Sequence, residues 1–173
     1  MNHESYDDAY ISGILNEVRT IAVVGASAND VRPSFFVTKY LIDKGFVVFP
    51  VNPGQAGKEI LGRPVFARLA DIPEPVDMVD IFRASDAVPP IVDEALALKP
   101  LPKVIWMQLT VRSDEAAAKA EAAGVKVVMN RCPKIEYGRL SGEIGWTGVN
   151  SRVISAKKPV MRDGFQSFGV RQR

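Results

Sequence analysis

The loop that follows the first predicted strand carries the residues best suited to hold an anion. The strand, Thr20–Val24, is a short apolar run, and the loop from Gly25 to Ser34 connects it to a predicted helix. Backbone N–H groups and the positive dipole end at a helix N-terminus favour a phosphate. The hydroxyls of Ser27 and Ser34 and the guanidinium of Arg32 can add hydrogen bonds to it. A plain strand-to-helix turn, in which Gly25 permits tight geometry and Ser34 only caps the helix, explains the loop equally well.

The end of the second strand separates one class of nucleotide from another. An NAD site carries an Asp or Glu there to bind the ribose hydroxyls, whereas this chain has Asn52 and Pro53. Lys58 suits a ribose that carries its own phosphate, as in NADP or coenzyme A, although a solvated surface lysine is the simpler interpretation. The first loop, GASAND, also lacks the G-x-G-x-x-G pattern. These residues predict a phosphate-bearing nucleotide other than NAD.

The residues needed for common catalytic devices are missing or poorly placed. His3 is the single histidine and is expected to be solvated near the N-terminus, so a Ser-His-Asp or Cys-His device lacks its base. No His/Cys cluster has the spacing of metal ligands. Glu136 can be considered as a base, but pairing with Lys134 or Arg139 is the simpler expectation.

Two aspartates beside the third predicted strand are expected to have structural roles. Asp77 and Asp80 flank this strand and are predicted to mark its solvent-side ends or to bind loop amides. Trp106 and Met107 belong to an apolar run and are predicted to pack in the core.

Alternating strands and helices predict an α/β fold. The pattern predicts a leading helix over 6–19, a helix that begins at Pro33 and ends before Gly45, one capped by Ser85 and Asp86, and one from Ser113 to Gly124. Residues 54–75 are predicted to be a loop-rich segment with a helical turn over 69–72. Since the strands are apolar throughout, they predict a parallel sheet that is covered on both faces. We therefore predict a single doubly wound Rossmann-like domain with a mostly parallel five-stranded sheet, its strands at 20–24, 46–51, 76–82, 103–107 and 125–129.

Length, charge and cysteine content narrow the class of protein. The chain has 173 residues, a net charge of +2 and one cysteine, which predict one domain, no intrachain disulfide and a reducing compartment. The polar N-terminus does not resemble a secretory signal, and no apolar run approaches the length of a membrane helix. Cytoplasm is the expected location, and neither nucleic acid nor membrane is an expected partner. The domain is predicted to span 1–140, followed by a C-terminal basic extension over 141–173.

Several stretches of sequence, in this order, are typical of one family. The chain resembles small stand-alone CoA-binding proteins, which are similar to the N-terminal domain of the succinyl-CoA synthetase α subunit. The resemblance runs from about 21 to 140, over the stretches IAVVGAS, RPS, VVFPVNP, DIPEPVDMVDIFR, IVDEA, VIWMQL and NRCPKIEYGRL.

The resemblance implies that coenzyme A lies across the carboxyl ends of the strands. Its diphosphate would lie on the loop of Gly25 and Ser27, and its adenosine 3′-phosphate near Asn52, Pro53 and Lys58. Pantetheine would run past Phe82 and Arg83 toward Gln108, with Arg32, Ser34 and Arg83 as further polar contacts. Cys132, at the end of the fifth strand, would then be able to form a mixed disulfide with the CoA thiol, although a buried structural thiol is the simpler expectation.

Three functions remain open at this point. The first is a non-catalytic module that binds coenzyme A or an acyl-CoA as a carrier, sensor or regulator, either alone or as a homodimer. The second is an NADP-dependent oxidoreductase, for which the chain offers no obvious proton donor. The third is a non-catalytic component of a larger acyl-CoA synthetase. The phosphate-carrying histidine of the synthetase has no counterpart here.

Overall fold

The computed structural model describes residues 1–142. The predicted basic extension lies outside the described residues apart from Ser141 and Gly142, and the domain boundary at residue 140 stays a prediction. Five helices and seven strands form in residues 1–142, in the chain order α1 (Asp8–Glu17), β1 (Thr20–Val24), α2 (Pro33–Asp43), β2 (Val47–Val51), β3 (Glu59–Ile60), β4 (Arg63–Pro64), β5 (Met78–Ile81), α3 (Val88–Leu96), β6 (Val104–Met107), α4 (Asp114–Ala122), β7 (Lys126–Val128) and α5 (Pro133–Leu140).

The main sheet is parallel throughout and confirms the predicted fold class. Its five strands lie in the order β2-β1-β5-β6-β7. Counted along the chain among these five, the order is 2-1-3-4-5. From β1 the chain first adds β2 on one side and then crosses back to add β5 on the other. The strand order therefore reverses between β1 and β5, where doubly wound folds bind their ligands.

The sheet is buried on both faces because helices cover each of them. On one face α1, α2 and α5 pack against the strands, and on the other face α3 and α4 do so. All residues of β5 and β6 are buried. Trp106 and Met107 are fully buried, as predicted, and the Trp106 indole Nε1 donates to Arg131 O at 2.8 Å. The apolar character of the strands on both faces thus follows from their position in the middle layer.

The predicted helices form, and their caps explain where they begin. The Asp7 carboxylate accepts from Tyr10 N at 2.8 Å at the start of α1. Ser113 caps α4 by accepting from Ala116 N at 3.3 Å. At α2, Arg32 occupies the N-cap position and Pro33 begins the helix, so Ser34 is not the cap.

The predicted cap of α3 is wrong. Ser85 and Asp86 lie in a 3₁₀ turn, and the helix begins later, at Val88. A capping side chain accepts from the second or third N–H of a helix, but Pro89 and Pro90 occupy these positions and have no N–H. The Ser85 hydroxyl instead accepts from Arg112 N at 3.0 Å.

Three features differ from the predictions or extend them. The segment 54–75 contains the β3–β4 hairpin besides its 3₁₀ turn at Leu69–Asp71. Helix α5 was not predicted, although Pro133 at its first position is a signal for a helix start. The prediction for His3 is wrong, because it is only 8% exposed and its Nδ1 lies 2.9 Å from the Tyr6 hydroxyl.

Residues 1–142 contain neither a helix that could span a membrane nor a cluster of metal ligands. None of the helices within residues 1–142 combines the length and apolar character that a bilayer crossing requires. The same residues contain no group of three or more His, Cys, Asp or Glu side chains that could hold a metal ion.

Candidate functional site

A cleft opens at the carboxyl edge of the main sheet, beside the point where the strand order reverses. Its volume is about 620 Å³. The start of α2 forms one wall, the loops after β5 and β6 form the floor and the far wall, and the start of α5 closes it. The lining residues are Pro33, Val37, Phe82, Arg83, Ala84, Ser85, Gln108, Leu109, Thr110, Val111 and Cys132.

Gly25 allows the loops after β1 and β5 to approach each other closely. Its φ is +86°, and a Cβ placed there would lie 2.8 Å from Phe82 O and 2.9 Å from Arg83 Cδ. Its N–H donates to Val51 O at 2.9 Å. Only glycine fits both this backbone conformation and this space. Gly25 itself is absent from the cleft lining, but it places two residues that line the cleft.

Asn52 ties the loop after β2 to the loop after β1. Its Nδ2 donates to Ala26 O at 2.7 Å, and its Oδ1 accepts from Gly54 N at 3.0 Å. Gln55 adds a similar tie, since its Oε1 accepts from Ala28 N at 3.2 Å. Both ends of the Asn52 carboxamide are therefore engaged with backbone, which makes it a support of the loop after β1. Sequence reasoning missed Gln55, and nothing in its local sequence marks this long-range contact.

The remaining predicted site residues of the first two loops lie outside the cleft lining. Ser27 accepts from Asn29 N at 3.1 Å and so organises its own loop. Ser34 is 4% exposed and faces inward from α2. Pro53 and Lys58 are exposed beyond β2, and Arg32 is exposed at the start of α2.

Three of the predicted site residues line the cleft together. Phe82 and Arg83 follow β5, and Gln108 follows β6. Arg83 is exposed, and no acidic side chain pairs with it within residues 1–142. Gln108 is only 6% exposed. The cleft thus has a cation near its mouth and a buried carboxamide deeper inside.

Asp80 lies behind Gln108 and corrects the prediction made for it. It is fully buried in β5, between Val23 of β1 and Trp106 of β6 in register. The Gln108 Nε2 donates to both carboxyl oxygens, at 3.0 and 3.1 Å. Burial raises the pKa of Asp80 to about 8, and the hydrogen bond from Gln108 opposes this only in part. Asp80 therefore marks no solvent-side end, because β5 is a central strand.

Asp77 binds loop amides, which is the role predicted for both Asp77 and Asp80. Its Oδ2 accepts from Arg19 N at 2.8 Å and from Thr20 N at 3.2 Å. Lys103 Nζ lies 3.0 Å from its Oδ1. Asp77 thus binds loop amides at the amino edge of the sheet, away from the cleft.

Cys132 lines the cleft as a buried thiol. It is 6% exposed, and burial raises the pKa of its thiol, with backbone N–H groups of α5 opposing the shift. Disulfide exchange needs the thiolate, which this raised pKa disfavours at neutral pH. The mixed disulfide with CoA stays a prediction.

Glu136 does not offer a free base. The Arg139 Nη2 donates to its Oε2 at 2.7 Å, and Arg139 also binds Asp8 at 2.7 Å. Glu136 is 8% exposed. The predicted pairing with Arg139 is confirmed, and the second pair, between Arg139 and Asp8, joins α5 to α1.

Known proteins of similar sequence and structure match most of this chain. Residues 19–138 match the family model described as CoA binding domain. An uncharacterized protein of Bacillus subtilis, YneT, is 34% identical over 129 residues, which cover 75% of this chain and 93% of that protein. A solved structure from Thermus thermophilus has 37% identity and a TM-score of 0.73, and covers 78% of this chain and 98% of its own. An ADP-forming acetate–CoA ligase of Archaeoglobus fulgidus is 29% identical over 147 residues, which are 80% of this chain but 21% of the ligase.

Proposed function

We propose that the cleft binds coenzyme A or an acyl-CoA as a non-catalytic carrier, sensor or regulatory module. The reason is that the chain belongs to the family of CoA-binding domains. The observation that carries this proposal is the cleft beside the strand-order reversal. Its lining is mainly apolar, and the arginine near its mouth has no acidic partner within residues 1–142. Its volume of about 620 Å³ lies in the usual range for small-molecule sites.

The lining suits the pantetheine arm. Pro33, Val37, Phe82, Leu109 and Val111 contribute apolar surface. The arm is a narrow chain with a dimethyl group and two amides, so it needs apolar walls and a few polar partners. In this proposal the arm runs from the mouth, at Arg83, toward Gln108.

Cations near the ends of β1, β2 and β5 suit the phosphates. Arg32, Lys58 and Arg83 are exposed, and none has an acidic partner within the part of the chain that the structure describes. In this proposal Arg32 and Arg83 attract the diphosphate to the loop after β1. Lys58, beyond Asn52 and Pro53, attracts the 3′-phosphate.

A calorimetric titration of the full chain with CoA, 3′-dephospho-CoA, NADP and NAD tests the proposal. We expect saturable CoA binding that weakens for dephospho-CoA, because the 3′-phosphate is lost. A preference for NADP would favour an oxidoreductase instead. Absence of binding by all four ligands would refute the proposed ligand.

Removing a cation at the mouth should weaken CoA binding. We expect Arg32→Ala and Arg83→Ala each to cost about 1.5–3 kcal/mol of binding free energy, the scale of a hydrogen bond to a charged group. Arg19→Ala is the matched control, since Arg19 is also exposed but lies at the amino edge of the sheet. Titration calorimetry of the three variants checks this. An unchanged affinity at Arg32 or Arg83 would remove that residue from the site.

A second candidate function follows from the ligase match. The chain spans about a fifth of the Archaeoglobus ligase, so this domain can serve as the CoA-holding part of a larger synthetase whose chemistry lies on other chains. Pull-down of the tagged full chain at native expression, with and without CoA, tests this. A stoichiometric partner with an ATP-binding domain would support it, and recovery of the chain alone or as a homodimer would favour the stand-alone module.

A further inference from the structure

The carboxamide of Gln108 is held in one orientation from behind. Its Nε2 lies 3.0 and 3.1 Å from the two Asp80 oxygens and, when Asp80 is neutral, donates to the oxygen that carries no proton. The two residues are 6% and 0% exposed. No partner for its Oε1 exists among residues 1–142. Since Nε2 faces Asp80, the opposite side of the carboxamide, which carries Oε1, faces the cleft that Gln108 lines.

Two other polar groups of this wall are engaged within the protein. Ser85 Oγ accepts from Arg112 N, and Thr110 N donates to Asn130 Oδ1 at 2.8 Å. The neighbouring Cys132 is a buried thiol that favours its neutral form. The deep part of the cleft therefore offers a ligand one uncharged acceptor in a mainly apolar wall.

Such a site selects an uncharged hydrogen-bond donor. A bound ligand displaces water from this acceptor, and an acceptor left without a partner is then unfavourable, so a ligand that supplies an N–H or S–H group gains relative to one that does not. An anion at this position would face the Oε1 lone pairs and a low-dielectric wall, which disfavours it. The polarity of the cleft thus runs from a cation at Arg83 to a neutral acceptor at Gln108.

We infer that Gln108 is a specificity-determining residue whose carbonyl oxygen accepts a hydrogen bond from the pantetheine end of the ligand, and that Asp80 is the positioning residue that orients it. This inference rests on the proposed function. It adds the ligand group that the inner end of the cleft recognises, an amide N–H or the thiol, and it gives the buried carboxyl of Asp80 a role through another residue.

The test compares two ligands that share the nucleotide half. Coenzyme A carries the pantetheine arm, whereas adenosine 3′,5′-bisphosphate lacks it. Gln108→Met keeps the size of the side chain and removes its hydrogen bonds. We expect this variant to bind CoA about tenfold more weakly, the effect of one hydrogen bond, with unchanged affinity for the bisphosphate. Calorimetry at pH 7 measures both affinities.

Variants of Asp80 test the positioning role. Asp80→Leu removes the oxygens that hold Nε2 and should reproduce the CoA-selective loss. Asp80→Asn keeps an acceptor oxygen opposite Nε2 and should retain CoA affinity within about twofold. If Asp80→Leu does not fold, the Asn variant and Gln108→Met still test the inference. Equal CoA affinity in Gln108→Met and wild type would overturn it.

The outcomes separate this inference from the proposed function. Wild-type protein that binds neither ligand refutes the proposed function itself. Wild-type protein that binds both, with a Gln108→Met variant that weakens both equally, overturns the inference, because the effect would then lie in the fold of the cleft. A loss confined to CoA supports it.

Discussion

Asp80→Asn is expected to raise the free energy of unfolding, relative to wild type, by an amount that grows with pH. The folded-state pKa of Asp80 is raised from 3.8 to about 8, with burial as the main cause. Between these values the folded protein holds a proton that the unfolded chain has released. Folding therefore takes up a proton, and wild-type stability falls as pH rises across this window.

The size of this effect follows from the linkage relation. Each pH unit between about 5 and 7 should change the difference between variant and wild type by up to about 1.4 kcal/mol. The difference should level off above pH 8, where Asp80 is ionised in both states. Asparagine cannot ionise and keeps an oxygen for the Gln108 Nε2, so the variant lacks this pH dependence. Urea unfolding at pH 5, 6, 7 and 8 measures it.

Asp77→Asn is the matched control for this experiment. Burial raises the pKa of Asp77, but hydrogen bonds from the Arg19 and Thr20 N–H groups and from Lys103 outweigh it, and the pKa lies below its ordinary value. A lowered pKa stabilises the fold above the unfolded-state value and loses that effect only as pH falls below about 4. The Asp77→Asn difference should therefore stay constant from pH 5 to 8. An equally flat profile for Asp80→Asn would show that Asp80 is ionised in the folded protein.

Gly25→Ala is expected to destabilise the fold by about 2–4 kcal/mol, from a strained backbone and a close contact together. The φ of +86° disfavours any residue with a Cβ, and that Cβ would lie 2.8 Å from the backbone oxygen of Phe82. The Arg83 side chain can move away, but the Phe82 carbonyl belongs to the end of β5. The loops after β1 and β5 must then separate, and CoA binding should weaken as well.

Gly124→Ala separates the two causes. Gly124 has a similar φ of +83°, but a Cβ there meets nothing within 4 Å, so this variant should cost only about 1–2 kcal/mol. It lies between α4 and β7, at the amino edge of the sheet, and should leave CoA affinity unchanged. Thermal unfolding and calorimetry compare the two variants. Equal stability losses would mean that the space beside Gly25 adjusts at little cost.

The local sequence was sufficient to predict the five strands of the main sheet, most helices and the fold class, but not the β3–β4 hairpin. Apolar runs such as Thr20–Val24 bury both faces of a strand, and strand-helix alternation leaves few arrangements for a parallel sheet. The same alternation predicted that a ligand site lies at the carboxyl edge of the sheet. Phe82 ends a predicted strand, and Arg83 and Gln108 each follow one. The resemblance to CoA-binding proteins implied that all three lie beside the ligand, and the structure brings them to one cleft. The role of each as a ligand contact stays a prediction.

The order of the strands decided what the local sequence could not. The local sequence predicted a solvent-side position for Asp80. The strand order buries it, because β1 and β6 pair with β5 on both sides. Its contact with Gln108 spans 28 residues, and Gly25 meets Phe82 across the reversal point. His3, likewise, is buried beside Glu121 of α4, which is distant in sequence, as well as beside its near neighbour Tyr6. Periodicity reports which face of an element is buried, whereas partners distant in sequence depend on how the elements are ordered in space.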